Sequence, residues 1–211
     1  MFHVEHILKG FFNNKDLVSL TKKFELLKDL YFKWNKVYNI SSIRDEDGFW
    51  IKHVLDSLCL AKYISDNSYQ GSILDVGSGG GFPAIVLAIV LEENKVLALE
   101  PIIKKTDFID HCIGKLELKN LSTINNKFQS LDLPFDIVVS RALGRYNEIC
   151  QHFFGLEEKT KIVLMTTNES LEQLVYQYKI INYPYESCQE FSAEKLRDHV
   201  LCECYNIKKS N

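Results

Sequence analysis

A run of glycines between an apolar strand and an apolar helix constrains the fold more than any other feature of this sequence. The segment reads Ile73-Leu-Asp-Val-Gly-Ser-Gly-Gly-Gly-Phe-Pro83. Glycine adopts positive φ angles and lets a ligand approach the backbone closely, and proline is tolerated in the first turn of a helix. A tight turn alone would need only one glycine. The segment therefore predicts a ligand-binding loop beyond the carboxyl end of a strand in an α/β sheet.

The spacing of the glycines narrows the choice of ligand. The dinucleotide fingerprint G-x-G-x-x-G requires glycine where this chain has Phe82, and the P-loop pattern is absent, so a nicotinamide oxidoreductase and a P-loop nucleotide site are both disfavoured. The observed D-x-G-x-G-x-G pattern is the signature associated with S-adenosylmethionine. Phe82 is better suited to lining an apolar or adenine-facing pocket than to admitting a pyrophosphate. The expected cofactor-binding residues of this segment are Asp75, Gly77, Ser78, Gly79 and Phe82.

A carboxylate follows the next predicted strand. Lys95–Leu99 is apolar and ends at Glu100, about twenty residues after the glycines. A carboxylate at the carboxyl edge of a sheet can accept hydrogen bonds from both hydroxyls of a ribose. We expect Glu100 to bind the cofactor ribose. The alternative is a solvated charge at the end of a strand.

From residue 71 onward, short apolar runs alternate with helical patterns, which predicts a mainly parallel sheet covered by helices. The expected strands are Ile73–Val76, Val96–Leu99, Leu121–Ile124, Ile137–Ser140, Ile162–Met165, Ile180–Tyr183 and His199–Tyr205. The expected helices are Pro83–Glu92, Lys104–Leu118, Arg145–Phe154 and Glu169–Tyr176. The last two strands lack a convincing helix between them, so we expect an antiparallel hairpin at the C-terminal edge.

Residues 1–70 have a helical pattern. Apolar residues at spacings of three and four predict one helix from near Asp16 to about Asn39. A second helix is expected after Arg44–Asp47, ending near Ile64. We therefore expect an N-terminal helical extension over residues 1–70 and an α/β domain that binds S-adenosylmethionine over residues 71–211.

Composition excludes several classes of protein. The formal net charge of −3 does not suggest a strongly basic nucleic-acid protein. No apolar run approaches the roughly 20 residues of a membrane span, and the N-terminus lacks the features of a signal peptide. The six cysteines are scattered, which indicates reduced thiols in a cytoplasmic protein and no metal site.

Four segments together resemble a known family. They are Tyr38-Asn-Ile-Ser-Ser-Ile-Arg-Asp45, His53-Val-Leu-Asp-Ser-Leu58, Leu74-Asp-Val-Gly-Ser-Gly-Gly-Gly-Phe-Pro83 and Phe135-Asp-Ile-Val-Val-Ser-Arg-Ala142. In this order, over roughly residues 25 to 205, they resemble the ribosomal RNA small subunit methyltransferase G family, also called glucose-inhibited division protein B. The His-x-x-Asp-Ser segment is not a general feature of methyltransferases. The resemblance implies a class I, Rossmann-like fold of seven strands with an N-terminal helical extension.

The resemblance also implies a reaction and a set of contacts. The reaction is methyl transfer from S-adenosylmethionine to guanine N7 in bacterial 16S ribosomal RNA, free or in the small-subunit particle. Separately from the resemblance, we expect a monomer. Cofactor contacts fall on Gly77 and Phe82, on Phe128 and Gln129 after the third strand, and on Arg141 after the fourth. The sequence departs from the family pattern at three places. These are Gln129, where an acidic residue is usual, Glu100, where Asp is usual, and Met165-Thr-Thr-Asn168, where Lys-Gly is common after the fifth strand.

Guanine N7 is already nucleophilic, so the reaction needs no general base, and no catalytic residue is assigned. Arg141 is expected to position the cofactor carboxylate, a phosphate or guanine O6, or else to form a strand-end ion pair. His53, which lies with Asp56 on the helix before the sheet, has either a capping or buried hydrogen-bonding role or a role toward RNA. Five basic residues are candidates for phosphate contact: Arg44, Lys52, Lys104, Lys105 and Arg197. Each of them can equally be a solvated surface charge.

Two other functions remain open from the sequence. One is an S-adenosylmethionine-dependent methyltransferase acting on a different RNA, a small molecule or a protein. The other is a binding protein that keeps the fold without catalysis, which the departure at Met165–Asn168 leaves open. Transfer of a labelled methyl group to 16S RNA or a ribosomal particle distinguishes these functions from the expected one.

Overall fold

The computed structural model describes residues 4–11, 16–141, 144–181 and 199–208. Within these residues a single sheet of seven strands has the order β3-β2-β1-β4-β5-β7-β6. The strands are β1 Ser72–Val76, β2 Lys95–Leu99, β3 Leu121–Ile124, β4 Ile137–Arg141, β5 Lys161–Thr167, β6 Tyr176–Ile181 and β7 His199–Lys208. Strands β1 to β5 are parallel, and β7 pairs antiparallel with both β5 and β6. The expected mainly parallel sheet with a C-terminal antiparallel hairpin is confirmed.

Several helices come before the first strand in the sequence, and others follow most of the strands. They are α1 Val4–Phe11, α2 Leu17–Tyr38, α3 Glu46–Gly48, a π-helix at Phe49–Leu55, α4 Asp56–Asp66, α5 Ala84–Val90, α6 Ile103–Leu116, a 3-10 turn at Phe128–Ser130, α7 Tyr146–Leu156 and α8 Asn168–Leu171. Strand β1 is buried over Ile73–Val76 because helices cover both faces of the sheet, as is typical of a parallel sheet.

Helix α2 begins and ends where the sequence predicts. The Asp16 side chain accepts hydrogen bonds from the backbone N–H groups of Val18 and Ser19, which caps the first turn. The helix ends at Tyr38, and the next residue, Asn39, has a left-handed φ of 49°. The second predicted helix is also present, but its first part is a π-helix that the sequence did not indicate.

The N-terminal helices share a core with the sheet. Phe24 and Tyr31 of α2, Phe49 of the π-helix, Phe82 of the glycine loop and Ile137 of β4 belong to one buried apolar cluster. This packing fixes the position of the π-helix above the carboxyl edge of the sheet. The division of the chain at residue 70 stays a prediction.

The predicted helix over Glu169–Tyr176 is wrong. Helix α8 is a single turn, and β6 already begins at Tyr176, four residues before the expected strand. Tyr176 is 4% exposed and its ring packs against Phe154 of α7, with ring centroids 5.7 Å apart. Burial of this side chain in the core thus favours a strand over the helical pattern. The predicted strand end at Tyr183 lies outside the described residues.

Candidate cofactor and acceptor site

The glycine loop connects β1 to α5 at the carboxyl edge of the sheet. Gly77, Gly79 and Gly81 have φ angles of 75°, 57° and 83°, which favour glycine. A Cβ on Gly81 would lie 2.8 Å from Cγ1 of Ile85, so packing also requires this glycine. A Cβ on Gly79 would meet only the Gly77 carbonyl oxygen, at 3.9 Å. The loop is therefore open above Gly79, where a ligand can approach the backbone.

Asp75 lies beneath this loop and is fully buried. Its Oδ2 accepts a hydrogen bond from the backbone N–H of Ala84, 3.1 Å away, which ties the start of α5 to β1. Its Oδ1 has no hydrogen-bond partner among the residues that the structure describes. Burial raises the pKa of the Asp75 carboxyl to about 6, because the charged form is poorly solvated there.

Glu100 follows β2 and faces the loop. Its carboxylate is 4% exposed and accepts hydrogen bonds from the backbone N–H groups of Gly79, at 2.9 Å, and Ile102, at 3.0 Å. The alternative of a solvated strand-end charge is therefore wrong. Each carboxylate oxygen has lone pairs beyond these bonds, so the same group can accept hydrogen bonds from ribose hydroxyls.

Phe128 and Gln129 lie in the 3-10 turn after β3. The Phe128 ring is 5% exposed and packs edge-on against His152, while the Arg145 guanidinium lies 5.4 Å from the ring centroid. Gln129 is exposed and hydrogen-bonds Glu148. Because β2 separates β3 from β1, this turn lies two strands from the glycine loop on the Glu100 side.

The ring of Phe82 points into the core. It is 2% exposed and stacks on His53, with ring centroids 4.3 Å apart and an angle of 7° between the planes. Tyr31 and Phe49 pack edge-on against it. Phe82 therefore joins the glycine loop to the N-terminal helices, and its side chain does not line an open pocket.

Arg141, at the end of β4, contacts the π-helix and the start of α4. Its Nη1 donates to the Lys52 carbonyl oxygen at 2.6 Å and lies 3.2 Å from Asp56 Oδ2. Its Nη2 lies 3.1 Å from Nδ1 of His53. Arg141 can only donate, so Nδ1 of His53 accepts and Nε2 carries the proton. His53 and Asp56 of the His-x-x-Asp-Ser segment thus both contact Arg141.

His53 is kept neutral in this arrangement. Its Nε2 lies 3.2 Å from Ser41 Oγ and 3.3 Å from the Tyr31 hydroxyl. Burial is the main cause that lowers the pKa of His53 well below its ordinary value, and the Arg141 charge lowers it further. The buried, hydrogen-bonding role of His53 is the one that the structure supports.

A cavity of about 400 Å³ adjoins Arg141. It opens between the ends of β4 and β5, the π-helix and the start of β7, on the side of the glycine loop away from Glu100. The residues that line it include Lys52, Asp56, Arg141, Thr166, Ser170 and His199. A larger cavity of about 570 Å³ opens at the opposite edge of the sheet, beside Ser72 and Lys161, and is remote from the loop.

Comparison with known proteins identifies the family. The family described as rRNA small subunit methyltransferase G matches residues 20–200. The chain belongs to this family. A ribosomal RNA small subunit methyltransferase G from Francisella tularensis subsp. novicida is 36% identical over 151 residues, 70% of each chain. One from Francisella philomiragia is 39% identical over 132 residues, 61% of this chain and 62% of the relative.

Solved structures support the fold that membership of the methyltransferase G family implies. An S-adenosylmethionine-dependent methyltransferase from Aquifex aeolicus has a TM-score of 0.53 at 15% identity, covering 79% of this chain and 96% of its own. MtNAS in complex with S-adenosylmethionine has a TM-score of 0.58 at 14% identity, covering 91% and 79%. The expected class I methyltransferase fold with an N-terminal helical extension is confirmed.

The RNA-contact candidates of this methyltransferase G family member fall in three places. Lys52 lines the cavity beside Arg141. Lys104 and Lys105 lie in the first turn of α6, on the Glu100 side of the loop. The Arg44 guanidinium donates to the Ser41 carbonyl and to Asn39 Oδ1 within the loop after α2. Arg197 lies outside the described residues.

Sequence reasoning missed three residues of the site. His199 lines the cavity, and its Nδ1 lies 3.5 Å from Asp56 Oδ1. Thr166 lines the same cavity within the segment that departs from the family pattern. Ile102 is 43% exposed although apolar, two residues after Glu100. Of these residues, only Ile102 stands out in the sequence, as an apolar residue two positions after the strand-end Glu100, and its exposure is visible only in the structure.

Two further properties concern the described residues only. None of their helices is long and apolar enough to cross a membrane. Their histidine, cysteine and acidic side chains form no group of three that could hold a metal ion.

Proposed function

We propose that this chain transfers the methyl group of S-adenosylmethionine to N7 of a guanine in the 16S ribosomal RNA of the bacterial small subunit. As a member of the methyltransferase G family, it is an S-adenosylmethionine-dependent methyltransferase of ribosomal RNA. The observation that carries the proposal is the adjacency of two features on one sheet edge. These are the open glycine loop with Glu100 and the cavity that contains Arg141.

The residues of the loop fit the cofactor. The exposed backbone at Gly79 leaves room for the amino-acid portion, and the buried Oδ1 of Asp75 supplies negative charge beneath the loop. Glu100 would accept the ribose hydroxyls, and Phe128 and Gln129 would lie beside the adenine. Gly77, Ser78 and Phe82 contribute the backbone that shapes the loop. When bound, the cofactor supplies an electrophilic methyl group on a sulfonium.

The cavity fits the acceptor. Strand β4 is the neighbour of β1 opposite to β2, so groups bound at the end of β4 face those bound at the glycine loop. Arg141 and Lys52 place positive charge there, which suits guanine O6 or a phosphate. N7 lies on the major-groove edge, which is inaccessible in A-form RNA, so the acceptor must be in an irregular or opened region.

The work of the protein in this reaction is alignment. Guanine N7 carries a lone pair at neutral pH, so no residue has to remove a proton before transfer. Holding the base and the methyl donor in line supplies the rate enhancement. Arg141 contributes because Asp56, His53 and the Lys52 carbonyl fix its guanidinium in one position.

A methyl-transfer assay tests this function. Purified protein is incubated with labelled S-adenosylmethionine and with either 16S RNA or small-subunit particles from cells that lack the protein, and the modified base is mapped. Label at N7 of one guanine is expected. Label on another RNA or on a small molecule would support the first alternative, and cofactor binding without transfer would support the non-catalytic one.

The partner, assembly and location belong to the same proposal. The substrate is either naked 16S RNA or the small-subunit particle. The protein acts on it in the cytoplasm. The protein is expected to act as a monomer, because one chain supplies both the loop and the cavity. Light scattering of the protein, alone and with a 16S RNA fragment, measures this stoichiometry.

A further inference from the structure

Thr166 of β5 lines the cavity, and its hydroxyl group is buried. Thr166 is 6% exposed, and its Oγ1 has no hydrogen-bond partner within residues 4–11, 16–141, 144–181 and 199–208. The neighbouring Thr167 differs, because its Oγ1 accepts from the backbone N–H of Ser170 and caps α8. A buried hydroxyl without a partner is costly, and such groups in native proteins call for an explanation.

The surroundings of Thr166 point to a ligand. Arg141, Lys52 and His199 line the same cavity, and the buried Asp56 joins Arg141 to His199. A volume of about 400 Å³ lies within the range of small-ligand sites. The cavity thus combines a defined shape, charged groups and a lining residue, Thr166, whose buried hydroxyl lacks a partner among the described residues.

We propose that this cavity receives the acceptor guanine and that the Thr166 hydroxyl turns into the cavity by rotation about χ1 and hydrogen-bonds an edge of the base, which makes Thr166 a residue that binds the acceptor. The inference rests on the proposed function and assigns the groups that recognise the base. Guanine offers the O6 acceptor next to N7, and Lys52 and Arg141 are donors. Adenine has an amino donor at the same position, so these cations disfavour it.

A substitution of equal shape separates recognition from stability. Thr166→Val removes the hydroxyl and keeps the β-branched shape that suits β5. The variant should be as stable as the parent or more stable, because it removes an unpaired polar group. Its kcat/KM for 16S RNA should fall about tenfold, with the Kd for S-adenosylmethionine unchanged. Thr166→Ser keeps the hydroxyl and should stay within about threefold of the parent.

Helix α2 offers a matched control. Thr21 Oγ1 is also buried without a partner among the described residues, and Thr21 does not line the cavity. Thr21→Val makes the same chemical change and should leave kcat/KM unaltered. Thr166→Val with the turnover of the parent protein would overturn the assignment. So would an equal loss of activity in Thr166→Val and Thr166→Ser.

A binding measurement separates this inference from the proposed function. Guanosine monophosphate and adenosine monophosphate are added to the protein loaded with S-adenosylhomocysteine, and binding is followed by saturation-transfer NMR. Guanosine monophosphate should bind the parent protein more strongly than adenosine monophosphate, and more strongly than it binds Thr166→Val. If guanosine monophosphate binds the parent protein and Thr166→Val equally, or does not bind the parent protein, the cavity assignment is overturned even if the RNA is methylated. Thr166-dependent binding without methylation of the RNA supports the cavity and overturns the proposed function.

Discussion

Asp56 Oδ2 lies 3.2 Å from Arg141 Nη1, although the two residues are 85 positions apart in the sequence. The contact joins the first turn of α4 to the end of β4, and the Asp56 carboxylate is 1% exposed. The same carboxylate reaches His199 at the start of β7 through its other oxygen. One buried group thereby fixes the position of two side chains that line the acceptor cavity.

Asp56→Asn should lower both stability and activity. The substitution removes the negative charge opposite Arg141, which is itself only 18% exposed. Loss of one partner of such a pair should cost about 1–3 kcal/mol of unfolding free energy, measured by urea denaturation. We expect kcat to fall about tenfold because Arg141 is no longer held, with little change in the Kd for S-adenosylmethionine.

The Lys62–Asp66 pair serves as the control for this prediction. It is also an ion pair of α4, with a distance of 2.6 Å, but both side chains are partly exposed. Asp66→Asn should cost less than about 1 kcal/mol and leave turnover unchanged. If Asp66→Asn and Asp56→Asn have equal effects, the special role of Asp56 is refuted.

Arg141→Ala should lower methyl transfer at least tenfold while the fold persists. The substitution removes the positive charge from the cavity and leaves Asp56 without this partner. In the double variant with Asp56→Asn, the loss of kcat should be smaller than the product of the two single losses, because the residues act as one unit. Multiplicative losses, measured in single-turnover assays, would show that they act independently.

Gly79→Ala should weaken cofactor binding more than it weakens the fold. The φ angle of 57° costs a non-glycine residue about 1–2 kcal/mol, and the added Cβ would occupy open space above the loop. We expect the Kd for S-adenosylmethionine to rise at least about tenfold in isothermal titration calorimetry. Gly114→Ala, within α6 and with no atom near the added Cβ, should bind the cofactor normally and be slightly more stable.

The sequence was sufficient to predict the features that depend on local pattern. Alternating apolar runs predicted the parallel sheet, and the strand end before Glu100 predicted a carboxylate beside the loop. Contacts between distant segments were not predictable from such patterns. The stacking of Phe82 on His53 and the approach of His199 to Asp56 depend on how the N-terminal helices and β7 pack against the sheet edge. Tyr176 was misassigned because burial in the core outweighs local helical spacing.

RNA binding should be sensitive to salt and to Lys52. Contacts with phosphate release counterions, so the logarithm of the binding constant falls as the logarithm of the salt concentration rises. Lys52→Gln should weaken binding of a 16S RNA fragment and reduce the salt slope by about 1. Lys62→Gln on α4, where the lysine pairs with Asp66, is the matched control and should leave the slope unchanged. Binding that does not respond to salt would contradict recognition of phosphates.

The burial of Asp75 makes one contribution to stability that depends on pH. The pKa of this carboxyl is about 6 in the folded protein and 3.8 ordinarily. Well below pH 3.8 the group is protonated in both states, so it adds no cost there. Between about pH 4 and pH 6 the unfolded chain ionises while the folded protein keeps the proton, and above about pH 6 the folded protein carries the buried charge. The native protein therefore loses about 3 kcal/mol of unfolding free energy from this residue.

Asp75→Asn should abolish that loss. The amide stays neutral at every pH, and its oxygen can still accept from the Ala84 N–H. Urea denaturation at about pH 3 and about pH 8 measures the difference in unfolding free energy between the variant and the parent. That difference should shift by about 3 kcal/mol in favour of the variant at the higher pH. If the difference is equal at both pH values, Asp75 does not titrate in this way. At pH 8 the variant should also bind S-adenosylmethionine more weakly, because it has lost the negative charge beneath the loop.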